Sequence, residues 1–592
     1  MRRIIWMVVA VLSLVGLAVQ AQVPEPTPLP LYALPDVRLA RVFTSGTLAL
    51  SNDGRVLVAT NMLNNSLSFV DAFMPNNAQL IQEVPVGPDP RGVALTPDNQ
   101  RALVVLRGDN SLAVIDFERR APLTTIPLGG SLPYAVVSHR VGYALVSLQA
   151  SNEVVEVDLE AGAVVRRIPV PASPAGLAVW GDFLYVTHFW SGSLSLVYLP
   201  RGEVIDVIRA GPDTGISQSI DIDVQRGLAY LPQTRQNAEN RYPTFDTTVF
   251  PVVNVVDLRG LRSLPRQRID LSTADRPVNM PFAAVVDRFR NWLYVANAGS
   301  NDVSVIDLNT GLARASIRVG SNPRGVLLNR DNTYLFVHNV IDGTLTIIET
   351  SRLQVMDVLP ISTPVISNDI LIGAELFHSA ADPRLSEDRW LSCATCHFDG
   401  LPDGRTWQGV RGGPRNTPPL FDLIETAPYT WTGRWDELQD VELKIRSLLA
   451  GTGLIEDFPI APADGTPHGG LSFDLDLLAA YLLSLRGPAN PNQFDDALVA
   501  RGRAVFEAQG CGDCHSGPAG TDLQTHAVGT GQEGQEFDTP SLRYLWLSAP
   551  YFHDGSAATL MDVFTLPGAH QLNMTVERAD LDALIAYLLS WA

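Results

Sequence analysis

Between residues 45 and about 362 the chain alternates short apolar runs with polar turns, and the whole pattern returns every ~42 residues. The clearest unit starts at Pro90 and reads PRGVALTPDNQRALVVLRGDNSLAVIDFERRAPLTTIPLG. Kindred phrases begin at Ser66 (SLSFVD), Asn152 (NEVVEVDLEAGAVVRRIPV), Ser193 (SLSLVYLPRGEVIDVI), Val252 (VVNVVDL), Trp292 (WLYVANAGSNDVSVIDL) and Thr344 (TLTIIETSRLQVMDVLPI). The units number seven, each with four strand-like runs closed by Gly, Asn or Asp. A single four-stranded unit cannot bury both of its faces, so the pattern predicts an all-β, seven-bladed propeller over 45–362. Tandem two-sheet sandwiches are the competing architecture, and seven consecutive copies argue against them. The fifth unit carries an insertion, TRQNAENRYPTFDTTVFP (234–251), whose polarity and prolines predict a loop on one face, a lid or a docking element.

After residue 363 the period changes. SNDILIGAELF (367–377) and DDALVARGRAVFEAQG (495–510) have amphipathic helical spacing, as do FDLDLLAAYLLSLRG (473–487) and ADLDALIAYLLSWA (579–592). Two mainly α, cytochrome c-like domains are expected, at 363–487 and 488–592. At the other end Arg2 and Arg3 precede an apolar run from Ile4 to Ala18 and a Val19-Gln20-Ala21 cut site, the form of a secretory signal peptide over 1–21. Residues 22–44 then read as a Pro-rich linker with a candidate closing strand. The expectation is an exported, periplasmic or extracytoplasmic protein with no membrane span after cleavage.

Composition narrows the function. Lys plus Arg is 43 against 63 Asp plus Glu, a net charge of −20, and such a surface repels nucleic acid. Four cysteines are too few for a disulfide scaffold, and all four fall in two copies of one motif: Cys393-Ala-Thr-Cys396-His397 and Cys511-Gly-Asp-Cys514-His515. C-x-x-C-H is the c-type haem attachment pattern. Two thiols three residues apart add to the two vinyl groups of one haem, and the next imidazole reaches the iron. A zinc site would bring its two C-x-x-C pairs within about 15–20 residues, far closer than here. Two covalently attached c-type haems follow.

The residues around these motifs resemble a known family. LFHSAADPRLSEDRWLSCATCHFDGLPDGR, RNTPPLFDL, TWTGRWDEL and FDTPSLRYLWLSAPYFHDGSAATLMDVF, in that order over about 364–592, are similar to the bacterial di-haem cytochrome c peroxidases and their MauG relatives. The phrase LYVANAGSNDVSVIDLNTG resembles the YVTN-type propeller repeat. The resemblance implies a peroxide-reacting haem on Cys393 and Cys396 with His397 proximal, and an electron-transfer haem on Cys511 and Cys514 with His515 proximal. It implies that Trp431 lies between the haems, and that Asn416 with the carbonyls of Ser548 and Pro550 holds a Ca²⁺ ion. Arg434 and Arg543 match family arginines suited to haem propionates, and His553 matches a position beside the haem. His378 and His526 read as surface or supporting residues.

Three positions depart from the family. Gln408 stands where a gapless count expects a His that closes the first haem. The acid that assists peroxide cleavage falls at Gly451, so Glu456 or Asp457 would serve only if the loop shifts. The methionine that caps the second haem falls at Pro567, with His570 or Met574 nearest. The implied activity is reduction of hydrogen peroxide with electrons from a small c-type cytochrome or a cupredoxin. The alternatives are an electron-transfer protein with two closed haems, or MauG-like oxidation of a protein substrate docked on the propeller.

Overall fold

The computed structural model describes residues 41–591 except 457–459, 464, 532–533, 569 and 573–575. The expected signal peptide, most of the linker, Asp457 and Met574 therefore lie outside the described residues.

Seven antiparallel sheets follow one another over 48–85, 90–127, 133–169, 174–209, 214–270, 281–318 and 323–360, here blades one to seven. Within a blade the inner strands are buried and the outermost is wet. Pro174–Trp180 is buried throughout, whereas Gln354–Pro360 is exposed along nearly its whole length. That gradient is the alternating pattern of the sequence made spatial: each sheet covers its neighbour, and only the rim needs polar residues. Asn65, Asn99, Asn110, Asn152, Asn291, Asn301, Asn322 and Asn332 take left-handed backbone, which asparagine tolerates best among residues with a side chain.

The ring closes by packing of blade one on blade seven. Leu48 and Leu57 share a core with Phe336 and Leu345, and the Ser68 hydroxyl donates to Ile361 O at 2.5 Å. The candidate closing strand of the linker does something else: Val42–Thr44 adds to the inner strand of blade four, Val42 opposite Trp180. Blade five also differs from expectation. Its two long strands, Leu228–Gln236 and Val249–Asp257, pair through Gln236↔Val249, so both ends of the 234–251 segment are strand and only 237–248 is loop. Polarity had concealed them: Thr234 and Gln236 are buried in the stem of an extended hairpin, and Gln236 bonds to the C-terminal region through Thr395 O.

The C-terminal region is built on two helix pairs. Asn368–His378 packs on Phe473–Ser484, and Asp496–Ala508 on Arg578–Leu589. The crossings match: a Cβ on Gly373 would sit 2.1 Å from Leu477 O, and one on Gly502 2.0 Å from Ala583 O. Phe377 meets Tyr481 at 5.3 Å, and Phe506 meets Tyr587 at 5.4 Å. One apolar core runs from the propeller into the first pair, joining Phe189 and Phe282 to Phe398, Phe377 and Leu478.

Candidate functional site

Both C-x-x-C-H motifs open into one cavity of about 1540 Å³. That exceeds the ~300–1,000 Å³ usual for one small ligand. The walls are mostly apolar and include Trp390, Trp407, Leu449, Leu478, Phe506 and Phe564.

Each motif is a single 3₁₀ turn, Cys393–Thr395 and Cys511–Asp513, which brings the following histidine back over the cysteines. His397 N–H donates to Cys393 O at 3.0 Å, and His515 N–H to Cys511 O at 2.9 Å. The rings are oriented alike: His397 Nδ1 lies 3.1 Å from Pro418 O, and His515 Nδ1 lies 2.9 Å from Gly520 O. A carbonyl at Nδ1 selects the tautomer with its proton there and leaves Nε2 free as a ligand. Burial pushes the His397 pKa down to about 4 and lowers that of His515, keeping both imidazoles in the neutral, ligating form. Thiol pairs, oriented imidazoles and an apolar cavity of this size fit two c-type haems.

The surroundings of the two motifs are unlike. Around the first, the propeller supplies partners: Asn279 Nδ2 donates to Trp390 O at 2.9 Å and to Thr395 Oγ1 at 3.2 Å, and Gln236 Nε2 donates to Thr395 O at 3.1 Å. Ala394 and Thr395 are buried, whereas their counterparts Gly512 and Asp513 are exposed. The blade-five hairpin reaches the same cavity. Pro243, Thr248 and Val249 line it, and Val249 packs with Trp390, Leu391, Trp407 and Leu449.

The closing-His position belongs to this wall. Gln408 is half-buried and its backbone N–H donates to Ala238 O at 2.8 Å; the side chains that line the cavity there are Trp407 and Val410. Glu456 is exposed and is not part of the cavity wall, so the structure gives no support to it as the acid. The loop had no reason to turn it inward, since Ile455 occupies the core there. Sequence reasoning missed Asp538. This carboxyl lines the cavity, its backbone N–H donates to Trp431 O at 3.1 Å, and burial, then Asp522, push its pKa up to about 7.

Beside the second motif, His570 comes within 6.2 Å of His515, ring centre to ring centre. Two imidazoles on opposite sides of one iron, at a metal–nitrogen distance of about 2 Å, have that spacing. The Nδ1 atom of His570 is buried without a hydrogen-bond partner, and burial, then His515, push its pKa down to about 4. No ring contact among the described residues sets a second imidazole against His397.

Trp431, in the cavity wall, donates from Nε1 to Asn416 O at 2.8 Å, and its ring meets His553 edge-on at 6.5 Å. His553 stacks on Phe537 at 4.0 Å. Asn416 N–H donates to His553 O at 2.6 Å and its amide donates to Pro550 O, while Asn416 Oδ1 is buried and unpartnered. An amide flip would turn that oxygen toward the carbonyls, and an oxygen-rich cluster of this kind suits Ca²⁺. Trp431 and His553 occupy matching places in a local repeat. Tyr429 N–H donates to Trp435 O and Tyr551 N–H to Ala557 O, both at 2.7 Å. The signal was in the sequence, APYTWTG beside APYFHDG.

Arg434 and Arg543 both reach the cavity; Arg434 is otherwise exposed, and Arg543 pairs with Glu425 at 2.7 Å. Four further cations line it, Arg411, Arg415, Lys444 and Arg446, the last paired with Glu442 at 2.7 Å. Burial, then Arg415 and Arg411, bring the Lys444 pKa down to about 8. His526 pairs with Asp522 at 2.7 Å. His378, expected at the surface or in support, is buried, with Nε2 3.3 Å from Asp399 Oδ1.

Comparison with known proteins places this site. Residues 367–446 match the family model of the di-haem cytochrome c peroxidases. Cytochrome c551 peroxidase of Pseudomonas aeruginosa is 29% identical over 282 residues, 38% of this chain and 79% of that protein. Cytochrome c peroxidase Ccp of Escherichia coli is 29% identical over 282 residues, covering 39% of this chain and 60% of the other. Methylamine utilization protein MauG of Methylorubrum extorquens is 29% identical over 246 residues, covering 34% and 69%. The chain thus joins a seven-bladed β-propeller to a C-terminal region of the di-haem cytochrome c peroxidase and MauG type.

Proposed function

We propose that the protein is an exported di-haem oxidoreductase that reduces hydrogen peroxide with electrons from a small c-type cytochrome or a cupredoxin. The balance is H₂O₂ + 2 e⁻ + 2 H⁺ → 2 H₂O. The observation that carries the reading is the asymmetry of the two histidines: His570 stands against His515, while among the described residues no ring contact sets a second imidazole against His397. This supports one closed iron for storing or relaying an electron and one open iron for the oxidant, in two cytochrome c-like domains at 363–487 and 488–592.

When bound, the haems would supply the redox chemistry, holding the oxidising equivalents of the peroxide until incoming electrons cancel them. The chain sets the conditions. Pro418 O and Gly520 O hold the proximal rings by their Nδ1 protons. Trp407, Val410, Leu449 and the hairpin's Val249 keep bulk water from the first site. Arg411, Arg415 and Lys444 would supply countercharge to haem propionates, with Arg434 and Arg543 as further candidates. Trp431, fixed by Asn416 O and packed on His553, spans the gap between the sites. Asp538, bonded through its backbone to Trp431 and with its pKa pushed up to about 7 by burial and Asp522, is a cavity carboxyl suited to hold a proton near neutral pH. Asn416 Oδ1 with the Ser548 and Pro550 carbonyls would hold Ca²⁺ at the junction.

The test is steady-state peroxide turnover by the matured, di-haem protein with a reduced small cytochrome as donor. Turnover that disappears in His397→Gly, with the second haem's spectrum retained, is expected. Reversible electron exchange without peroxide consumption would leave the electron-transfer reading.

A further inference from the structure

The first attachment motif runs straight into the hub of the propeller. The turn after it, His397-Phe398-Asp399-Gly400, inserts two side chains there. Phe398 packs between Phe189 at 5.8 Å and Phe282 at 5.9 Å. Asp399 meets three buried guanidinium groups. Arg324 binds it through two hydrogen bonds, NH2 to Oδ1 at 2.7 Å and NH1 to Oδ2 at 3.0 Å. Arg91 donates to Oδ2 at 2.5 Å, and Arg107 lies 3.7 Å away. Arg91 comes from the inner strand of blade two and Arg324 from that of blade seven, each strand opening on Pro-Arg-Gly. Arg324 also lies 4.8 Å over the Phe398 ring. His378, on the first helix of the haem region, completes the shell. The turn itself is narrow: Asp399 has left-handed backbone, and a Cβ on Gly400 would sit 2.5 Å from Phe421.

None of these groups faces the haem cavity, since Asp399, Arg91, Arg107 and Arg324 are absent from its wall. Three buried cations against Asp399 and the neighbouring Asp89 leave a net positive hub, a state that Asp399 alone moderates from the haem side. Removing one partner from such a cluster leaves an uncompensated buried charge.

We infer that Asp399 is a positioning residue through which the propeller fixes the first proximal histidine and tunes the field at the first haem, two residues from its ligand. The propeller is thereby part of the first haem site. Its hub end is occupied by the C-terminal region, so a partner protein has to use another face. This rests on His397 being a haem ligand, but its readout is independent of peroxidase activity.

The experiment is a haem-resolved redox titration of the matured full chain, followed by optical and EPR spectra. Asp399→Asn raises the potential of the first haem, because a nearby negative charge is lost. Arg324→Gln lowers it, and the double variant returns toward wild type, with the second haem unmoved throughout. Should Asp399→Asn fail to accumulate with both haems, Arg324→Gln and Arg324→Lys carry the test: a downward shift for Gln and the wild-type value for Lys. Shifts of the same sign in Asp399→Asn and Arg324→Gln, equal shifts in both haems, or no shift in folded protein would overturn the proposal. A chain that shows these shifts yet reduces no peroxide would keep this inference and remove the peroxidase reading.

Discussion

The two attachment motifs have the same spacing and the same local turn, yet they live in different environments. The first is enclosed: Thr395 is held by Asn279 and Gln236, Asp399 sits in the arginine hub, and the blade-five hairpin walls the cavity beside it. The second has Gly512 and Asp513 in solvent, with its histidine facing His570 across the cavity. The lesson is that C-x-x-C-H specifies attachment and leaves reactivity to the surroundings. An enclosed site with no opposing imidazole among the described residues suits a reactant that must be kept from water. A site with an exposed edge and a filled far side suits electron exchange.

Several changes would break or sharpen this contrast. The largest effect belongs to the ligands: His397→Gly abolishes peroxide turnover and leaves the second haem's low-spin signal intact, which EPR of the variant checks. His570→Ala converts the second haem from low-spin to high-spin and raises its potential, erasing the asymmetry while the first haem keeps its spectrum. Trp431→Phe slows reduction of the first site by the second roughly ten-fold, about 1.4 kcal/mol in barrier, read by stopped-flow absorbance. Replacing 238–247 by a short Gly-Ser turn speeds cyanide binding at the first haem several-fold and leaves the second unaffected. The smallest effect compares matched positions inside the motifs. Thr395→Val costs about 1 kcal/mol in unfolding free energy by removing a buried hydrogen-bonding hydroxyl, whereas Asp513→Ala stays within about 0.5 kcal/mol. Denaturant titration of both holoproteins decides it.

Much of the molecule was legible in its sequence because the signals are local. Strand alternation with Asn and Gly turns marked the blades, and helical spacing with the cysteine motifs marked the haem region. What the sequence hid is long-range. Arg91 lies 308 residues from Asp399 and Arg324 lies 75, and a lone Asp before Gly reads as an ordinary turn. Lys444 looks like a helix-surface lysine until Arg411 and Arg415 are seen beside it. The hairpin stem was missed because polar residues seemed to forbid a strand, and Glu456, offered only if its loop shifted inward, stays exposed. His570 was found by counting, but only its ring distance to His515 singles it out among the described residues.

The proposed function requires the first iron to be open and the second closed. Low-temperature EPR of the matured diferric protein tests it most directly. The account predicts one high-spin and one low-spin signal, with the low-spin signal becoming high-spin in His570→Ala. Two low-spin signals in the wild-type protein, both surviving one-electron reduction of the sample, would contradict it.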